Sequence, residues 1–341
     1  MDATTRWTLV GEFATIDAGD GDEPVLAAAD LTTLTGWTPK PEGWCRGAEC
    51  IPASFLGDVA HAGSMTAAAA AEALGTAYAV EPEHRIAVIG VRADASSTLA
   101  SGVAPDLELT ALDGSSRRLF ADDHDKTLLV AFSSWCGCRY DLPGWQALSN
   151  ELAEHDFGVV AVAIDEATDD VAPFAEGIDF PVLVDTDRRF ADTYGLINVP
   201  TVIWLDAERN VVRPPSPEFS DDLFTEVHGV ESGPHLEAVR RWVTTGDAGD
   251  DLALRDPYPT DLSAQQRQAR AEFRLALELA RAGHDAAAAR HVEIADGLAP
   301  DDFTIWRAGM ALVGDDPFGA EFFERYTDWQ QRMGGRYSSA D

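Results

Sequence analysis

Residues 127–143, TLLVAFSSWCGCRYDLP, run a short apolar stretch straight into two cysteines one residue apart. Leu128, Leu129, Val130, Ala131 and Phe132 form the continuous, partly β-branched run of a strand covered on both faces, and Ser133 and Ser134 end it. From about Arg139 through Leu148 and Leu152 apolar residues recur at helical spacing, which places Cys136 and Cys138 at the turn between strand and helix. A thiol there meets the unpaired N–H groups and the positive end of the helix dipole, which favour thiolate over thiol. That lowers a cysteine pKa from about 8.5 toward or below neutrality. Cys136 is therefore expected to be an exposed, ionised nucleophile within bonding reach of Cys138. Residues two apart on a helix point to different sides, so a Cys136–Cys138 bond needs non-helical backbone, which Gly137 permits. So tight a ring is expected to be strained and easily reduced. The alternative is a pair of inert, buried cysteines.

Working outward, Trp135-Cys136-Gly137-Cys138-Arg139, followed by Asp141 and Pro143, resembles the W-C-x-x-C-R-x-[DE]-x-P signature of thioredoxin-fold thiol-disulfide oxidoreductases of the redoxin (alkyl hydroperoxide reductase/thiol-specific antioxidant) superfamily. This chain has one residue fewer between the cysteines. The resemblance spans about residues 99–213. Gly102-Val103-Ala104-Pro105-Asp106 and Asp113-Gly114 are similar to the family's opening G-x-x-A-P-D and its small hairpin, and residues 157–165 (FGVVAVAID) to a second buried strand. Residues 180–185 (FPVLVD), Arg189-Phe190-Ala191 and Tyr194-Gly195 resemble the segment before the last hairpin. Val199-Pro200-Thr201 resembles the cis-proline turn, with 202–205 and 211–212 as closing strands. An X-Pro bond gives up most of the usual trans preference, so a cis turn is held cheaply.

The resemblance implies an α/β, thioredoxin-like fold with helices on both faces of the sheet. It implies that Cys136 attacks, that Cys138 resolves, and that Trp135, Val199 and Pro200 meet a bound polypeptide or thiol substrate. The implied partners are a protein or small-molecule disulfide and a thiol electron donor that the residues do not identify. Arg139 either stabilises the thiolate or is a solvated helix arginine beside Asp141. Asp165, Asp185 and Asp206 follow apolar strands and are expected to be turn or capping residues.

A peroxiredoxin-like peroxidase, with Cys136 oxidised to sulfenic acid and Cys138 resolving it, is the second enzymatic alternative. Against it, the P-x-x-x-T-x-x-C pattern is absent: Ser133 lies three residues before Cys136, and position 129 is leucine. A non-enzymatic redoxin-like scaffold that binds another protein is the third. No G-x-G-x-x-G turn calls for a flavin or nucleotide, and no cofactor is expected.

The 341 residues suffice for two or three domains. A formal charge of -34, from 59 acidic against 25 basic residues, argues against nucleic acid or an anionic membrane as partner. Lys40 and Lys126 are the only lysines, a balance suited to a salty cytoplasm or to a high-GC genome. The start MDATTRWTLVGEF lacks a secretory pattern and no apolar run approaches 18 residues, so a cytoplasmic protein is expected.

Residues 1–95 are expected to be a small α+β domain, with helices over 26–34 and 65–74 and a strand over 86–91. Its loop GWCRGAEC carries Cys45 and Cys50, which are a second redox pair, a zinc clip, or a local loop staple. A linker over 93–101 leads to the redoxin domain at 99–213. Arg213-Pro214-Pro215-Ser216-Pro217 is expected to break regular structure ahead of a helical segment, 214–250, whose clearest helix is 235–243; His228 and His235 are packing or surface residues, and no metal site is expected. An acidic linker over 246–251 follows. Residues 251–341 then read as a helical tail. There Leu275, Ala276, Leu279, Gly283, Ala288, Val292, Ala295 and Pro300 resemble the spaced positions of a tetratricopeptide repeat, turned at Gly283-His284, with Trp306 on a further helix. The tail is expected to pack on the redoxin domain or to present a groove to a partner, and residues 334–341 to fray.

Overall fold

The computed structural model describes residues 6–47, 49–90, 102–249 and 262–332. The linker expected over 93–101, the end of the acidic linker and the last residues expected to fray lie outside them. The chain forms two compact units, Met1–Ser96 with Asp261–Val313 and Ser97–Thr260 with Gly314–Asp341.

The second unit is built on a seven-stranded sheet. Its spatial order is Ser116–Arg118, Glu108–Ala111, Val182–Val184, Phe157–Ala163, Lys126–Phe132, Thr201–Asp206, Val211–Ser216. Lys126–Phe132 pairs parallel to Phe157–Ala163, which pairs parallel to Val182–Val184, and the outer strands run antiparallel. The central strands are buried on both faces, which is why they read as unbroken apolar runs rather than alternating ones. The register sets Ala131 opposite Thr201. The residues that follow Phe132 and those that precede Thr201 therefore emerge at the same end of the sheet.

The expected break at Arg213-Pro214-Pro215 does not occur, because Val211–Ser216 continues as a strand through both prolines. It is an edge strand, so a missing N–H there removes no ladder bond on its free side. Its pairing shifts register between Val202 and Trp204 and again before Leu205. Glu218, fully buried just beyond it, accepts hydrogen bonds from Trp204 Nε1 at 3.1 Å and Ser216 Oγ at 2.8 Å. The helix Gly233–Thr245 then stacks Trp242 on Trp204, ring centres 5.0 Å apart.

In the first unit a four-stranded sheet has the order Thr15–Asp17, Thr8–Val10, Ile86–Ile89, Tyr78–Glu81. One face, with Leu9, Ala87 and Ile89, packs on Trp37, Trp44 and the helices Ala28–Thr35 and Ala67–Leu74. Both helices start later than the apolar spacing predicts, because Leu26 and Met65 belong to a short antiparallel pair, Val25–Ala27 with Ser64–Thr66. The opposite face, with Val10, Ala79, Ile86 and Val88, is covered by Ala271, Leu275 and Leu279 of the helix Ala264–Arg281 and by Ala287 and Ala288 of Asp285–Leu298. These helices form a hairpin turned at Gly283-His284. They were expected on the redoxin domain and instead cover this sheet, whose alternate residues leave a second apolar face to bury. Arg274 donates to the Gly11 carbonyl at 2.8 Å and Gln268 to the Tyr78 carbonyl at 2.8 Å, which fixes the helix on the strands. The tail is thus divided: Phe303–Val313 stays with the first unit, and Ala320–Arg332 belongs to the second.

A three-stranded sheet, Thr38–Lys40, Gly43–Arg46 and Glu49–Pro52, carries Cys45 and Cys50, which are joined in a disulfide. The zinc clip falls with that bond, since both sulfurs are consumed. The bond closes a loop of about six residues, worth about 2 kcal/mol of unfolded-chain entropy. Among the described residues no helix is long and apolar enough to cross a membrane, and no group of three or more His, Cys, Asp or Glu is placed to hold a metal.

Candidate active site

The strand Lys126–Phe132 ends at the turn that carries the cysteines, and three anchors fix that turn. Asp165, just past the neighbouring strand, takes both the backbone N–H and the hydroxyl of Ser134, with the N–H 3.1 Å from each carboxylate oxygen. Burial pushes the Asp165 carboxyl up to about 6. Cys136 then has extended backbone and caps a short 3-10 turn, Gly137–Asp141, which leads into the helix Leu142–Glu151. The Cys136 sulfur accepts the Cys138 N–H at 3.3 Å, so it does meet an N–H at a helix start as the spacing predicts.

The Val199–Pro200 peptide bond is cis, and the Cys136 thiol donates to the Val199 carbonyl at 3.5 Å. The sheet register thus brings Cys136, Cys138, Val199 and Pro200 together. Trp135 is buried beside them. Cys136 and Cys138 are free thiols. Burial first, and then a hydrogen bond and charge from Cys136, hold the Cys138 thiol well above the ordinary cysteine range. Cys138 therefore keeps its proton at neutral pH.

Two expectations need correcting. Cys136 is not exposed: it is 5% accessible and Cys138 is 3%. The cause is the segment after the last strand, which returns over the cysteine turn. A β-carbon built on Gly137 would stand 2.9 Å from Cε2 of Phe224 and 3.0 Å from its Cδ2, so that ring lies directly against the spacer between the cysteines. Arg139, in turn, spends its hydrogen bonds on the Ser134 carbonyl and the Tyr140 hydroxyl (3.0 Å) rather than on a sulfur. Its guanidinium lies over Tyr140, Phe174 and Phe318, 4.6 to 4.8 Å from the ring centres. Arg139 braces the turn from outside.

Asp141 ties the returning segment down. Its carboxylate accepts the N–H groups of Ser220 at 2.7 Å and Asp221 at 3.2 Å, and the Ser220 hydroxyl bonds its backbone carbonyl at 2.6 Å. Gly144, one helical turn on, leaves the room: a β-carbon there would lie 2.7 Å from that of Ser220. Burial pushes the Asp141 carboxyl up to about 8, and its charge in turn raises the Cys138 thiol. Beyond it Phe219 stacks on His228 with ring centres 3.8 Å apart, and Gln330 of the last helix donates to the Val227 carbonyl at 3.2 Å. The sequence signals neither Phe224 nor Ser220, since residues 217–230 have no apolar period. Asp141 was legible only as part of the signature. Asp185 and Asp206 behave as turn residues: Asp185 accepts the N–H groups of Phe190 and Ala191, and Asp206 those of Glu208 and Asn210.

Residues 100–213 match the AhpC/TSA family. The thiol-disulfide oxidoreductase ResA of Geobacillus thermodenitrificans is 27% identical over 122 residues, 35% of this chain and 70% of that protein. ResA of Bacillus thuringiensis is 27% identical over 144 residues, 41% of this chain and 76% of that protein. The crystal structure of a thiol:disulfide interchange protein DsbE from Chlorobium tepidum superposes with a TM-score of 0.35 and 24% identity, over 41% of this chain and 92% of its own. The strand order, the cysteine turn against a cis-proline and the family match lead to one assignment: residues 100–213 are a thioredoxin-fold domain of the AhpC/TSA family, related to the thiol-disulfide oxidoreductases.

Proposed function

We propose that the chain is a thiol-disulfide oxidoreductase whose couple is Cys136 and Cys138. The observation that carries this is the meeting of the Cys136 sulfur with the Cys138 N–H on one side and the carbonyl before cis-Pro200 on the other. The two thiols are unequal, and that inequality supports different roles for them. Cys138, held protonated, does not attack first.

The Cys136 thiolate attacks one sulfur of a substrate disulfide, and the other sulfur leaves as a thiolate that takes a proton from water. The substrate is then bound to Cys136 as a mixed disulfide beside Trp135, Val199 and Pro200. Formation of that bond removes the Cys136 charge, one of the causes that raise Cys138. Cys138 then loses its proton, with the ionised fraction of Asp141 as the nearby base, and closes on Cys136. The substrate departs fully reduced, and a thiol donor returns two electrons to the new Cys136–Cys138 bond. Gly137 supplies the freedom that so short a ring needs.

Turnover of a small aromatic disulfide tests the assignment, with hydrogen peroxide as the competing substrate. Cys136→Ser should abolish disulfide reduction, and Cys138→Ser should accumulate the mixed disulfide at Cys136. Undiminished turnover in the double variant would overturn the proposal, and faster turnover of peroxide than of disulfide would turn it into a peroxidase.

A further inference from the structure

The first unit holds a sulfur pair with the opposite exposure. Cys45 and Cys50 stand directly across from each other on the antiparallel strands Gly43–Arg46 and Glu49–Pro52, with Cα atoms 4.1 Å apart. Cys45 is buried beside the fully buried Trp44, whereas Cys50 is exposed between Glu49 and Ile51 on the outer strand. A thiolate arriving from solvent can therefore reach only the Cys50 end of the bond.

The hairpin does not depend on that bond for its shape. Trp44 seats the middle strand in the core with Trp37 and Leu56, and Thr38–Lys40 pairs along its other edge. Arg46, one residue past Cys45, grips Glu12 through two hydrogen bonds of 2.7 and 2.8 Å. Strand pairing thus keeps positions 45 and 50 opposed whether or not the sulfurs are joined, so opening is reversible. A staple would join segments that nothing else holds together.

We propose that Cys45–Cys50 is a second redox couple, opened at Cys50 by the thiolate of an external dithiol. That thiolate attacks the Cys50 sulfur, the Cys45–Cys50 bond breaks, and Cys45 leaves with the electron pair and takes a proton from water. The dithiol's second thiol, giving up its proton, then attacks its own partner sulfur on Cys50. Cys50 leaves as a thiol and the reagent departs as a disulfide, so two electrons pass to the hairpin. None of these steps uses Cys136 or Cys138, and the proposal stands whatever their role.

The test uses the full chain, oxidised and native, equilibrated against graded ratios of reduced to oxidised dithiothreitol. It is then acid-quenched and mapped cysteine by cysteine with a mass tag. Cys45 and Cys50 should convert together and reversibly, with an unchanged circular dichroism spectrum and the same midpoint in Cys136→Ser. A bond that stays closed in the native protein at the most reducing ratio, or opens only with loss of structure, overturns the proposal. The site of attack is read with oxidised glutathione on the two single variants. Glutathionylation of Cys50 in Cys45→Ser should be at least about tenfold faster than of Cys45 in Cys50→Ser. Equal rates would overturn the assigned direction.

Discussion

Replacing Asp141 by asparagine separates what this buried carboxyl does for the fold from what the cysteines do. Its pKa is pushed up to about 8 by burial, against an ordinary 3.8. An acid whose folded pKa lies above its unfolded one stabilises the fold fully below the unfolded value and loses that stabilisation as pH rises through the folded one. The window therefore runs from about pH 4 to about pH 8, with a slope of about 1.4 kcal/mol per unit and a total on the order of 5 kcal/mol. Asparagine keeps the oxygen that accepts from Ser220 and Asp221, and it does not ionise. Urea unfolding of wild type and Asp141→Asn at several pH values reads the difference directly, because every other carboxylate cancels. The two proteins should be nearly equal at about pH 4, and the variant should lead by several kcal/mol at about pH 8. Parallel curves would refute the reasoning, since they would mean that Asp141 titrates like a solvent-exposed acid.

Gly137→Ala should cost about 1–3 kcal/mol by driving its methyl into the Phe224 ring, and Phe224→Ala should recover most of that cost in the double variant; additive losses in thermal unfolding would show that the ring is not the obstacle. Phe224→Ala alone should raise the rate at which Cys136 is alkylated in the native protein, and an unchanged rate would remove the ring as the cover. Asp302→Ala should cost about 3–5 kcal/mol, because it breaks the buried ion pair that Asp302 makes with the Arg270 guanidinium at 2.9 Å; a loss below about 1 kcal/mol in urea unfolding would contradict that. A net charge of -34 should make thermal stability rise with salt between about 0.1 and 2 M potassium chloride, and a flat melting temperature would exclude self-repulsion as a significant term.

The redoxin core was legible because its determinants are local. Residues 128–132 and 159–163 are apolar without interruption, and only strands buried on both faces demand that. That the cysteine turn meets Pro200 was implied by the family resemblance, and the register of Ala131 opposite Thr201 accounts for it. What escaped was everything that depends on non-local packing. Pro214 and Pro215 read as a break, yet an edge strand tolerates them. The helices from Ala264 carry an apolar stripe that says they cover something, but their spacing is silent on which sheet, and the continuous run at Ile86–Ile89 was the unused clue. Likewise Phe224 owes its position to Ser220 meeting Asp141 across 79 residues, a contact with no periodic signature. Exposure of Cys136 was misjudged for that reason.

The chain leaves the second unit near residue 260 and re-enters it at Gly314, bringing Phe318 to the ring cage around Arg139 and Gln330 to the segment that covers the thiols. A nascent chain can complete the seven strands long before those last residues clear the ribosome. Until they do, the ring cage around Arg139 lacks its Phe318 wall and the segment after the last strand lacks its Gln330 contact. Fragments cut at 213 or 260 for study would share that unfinished state, with the brace on the cysteine turn missing one of its rings.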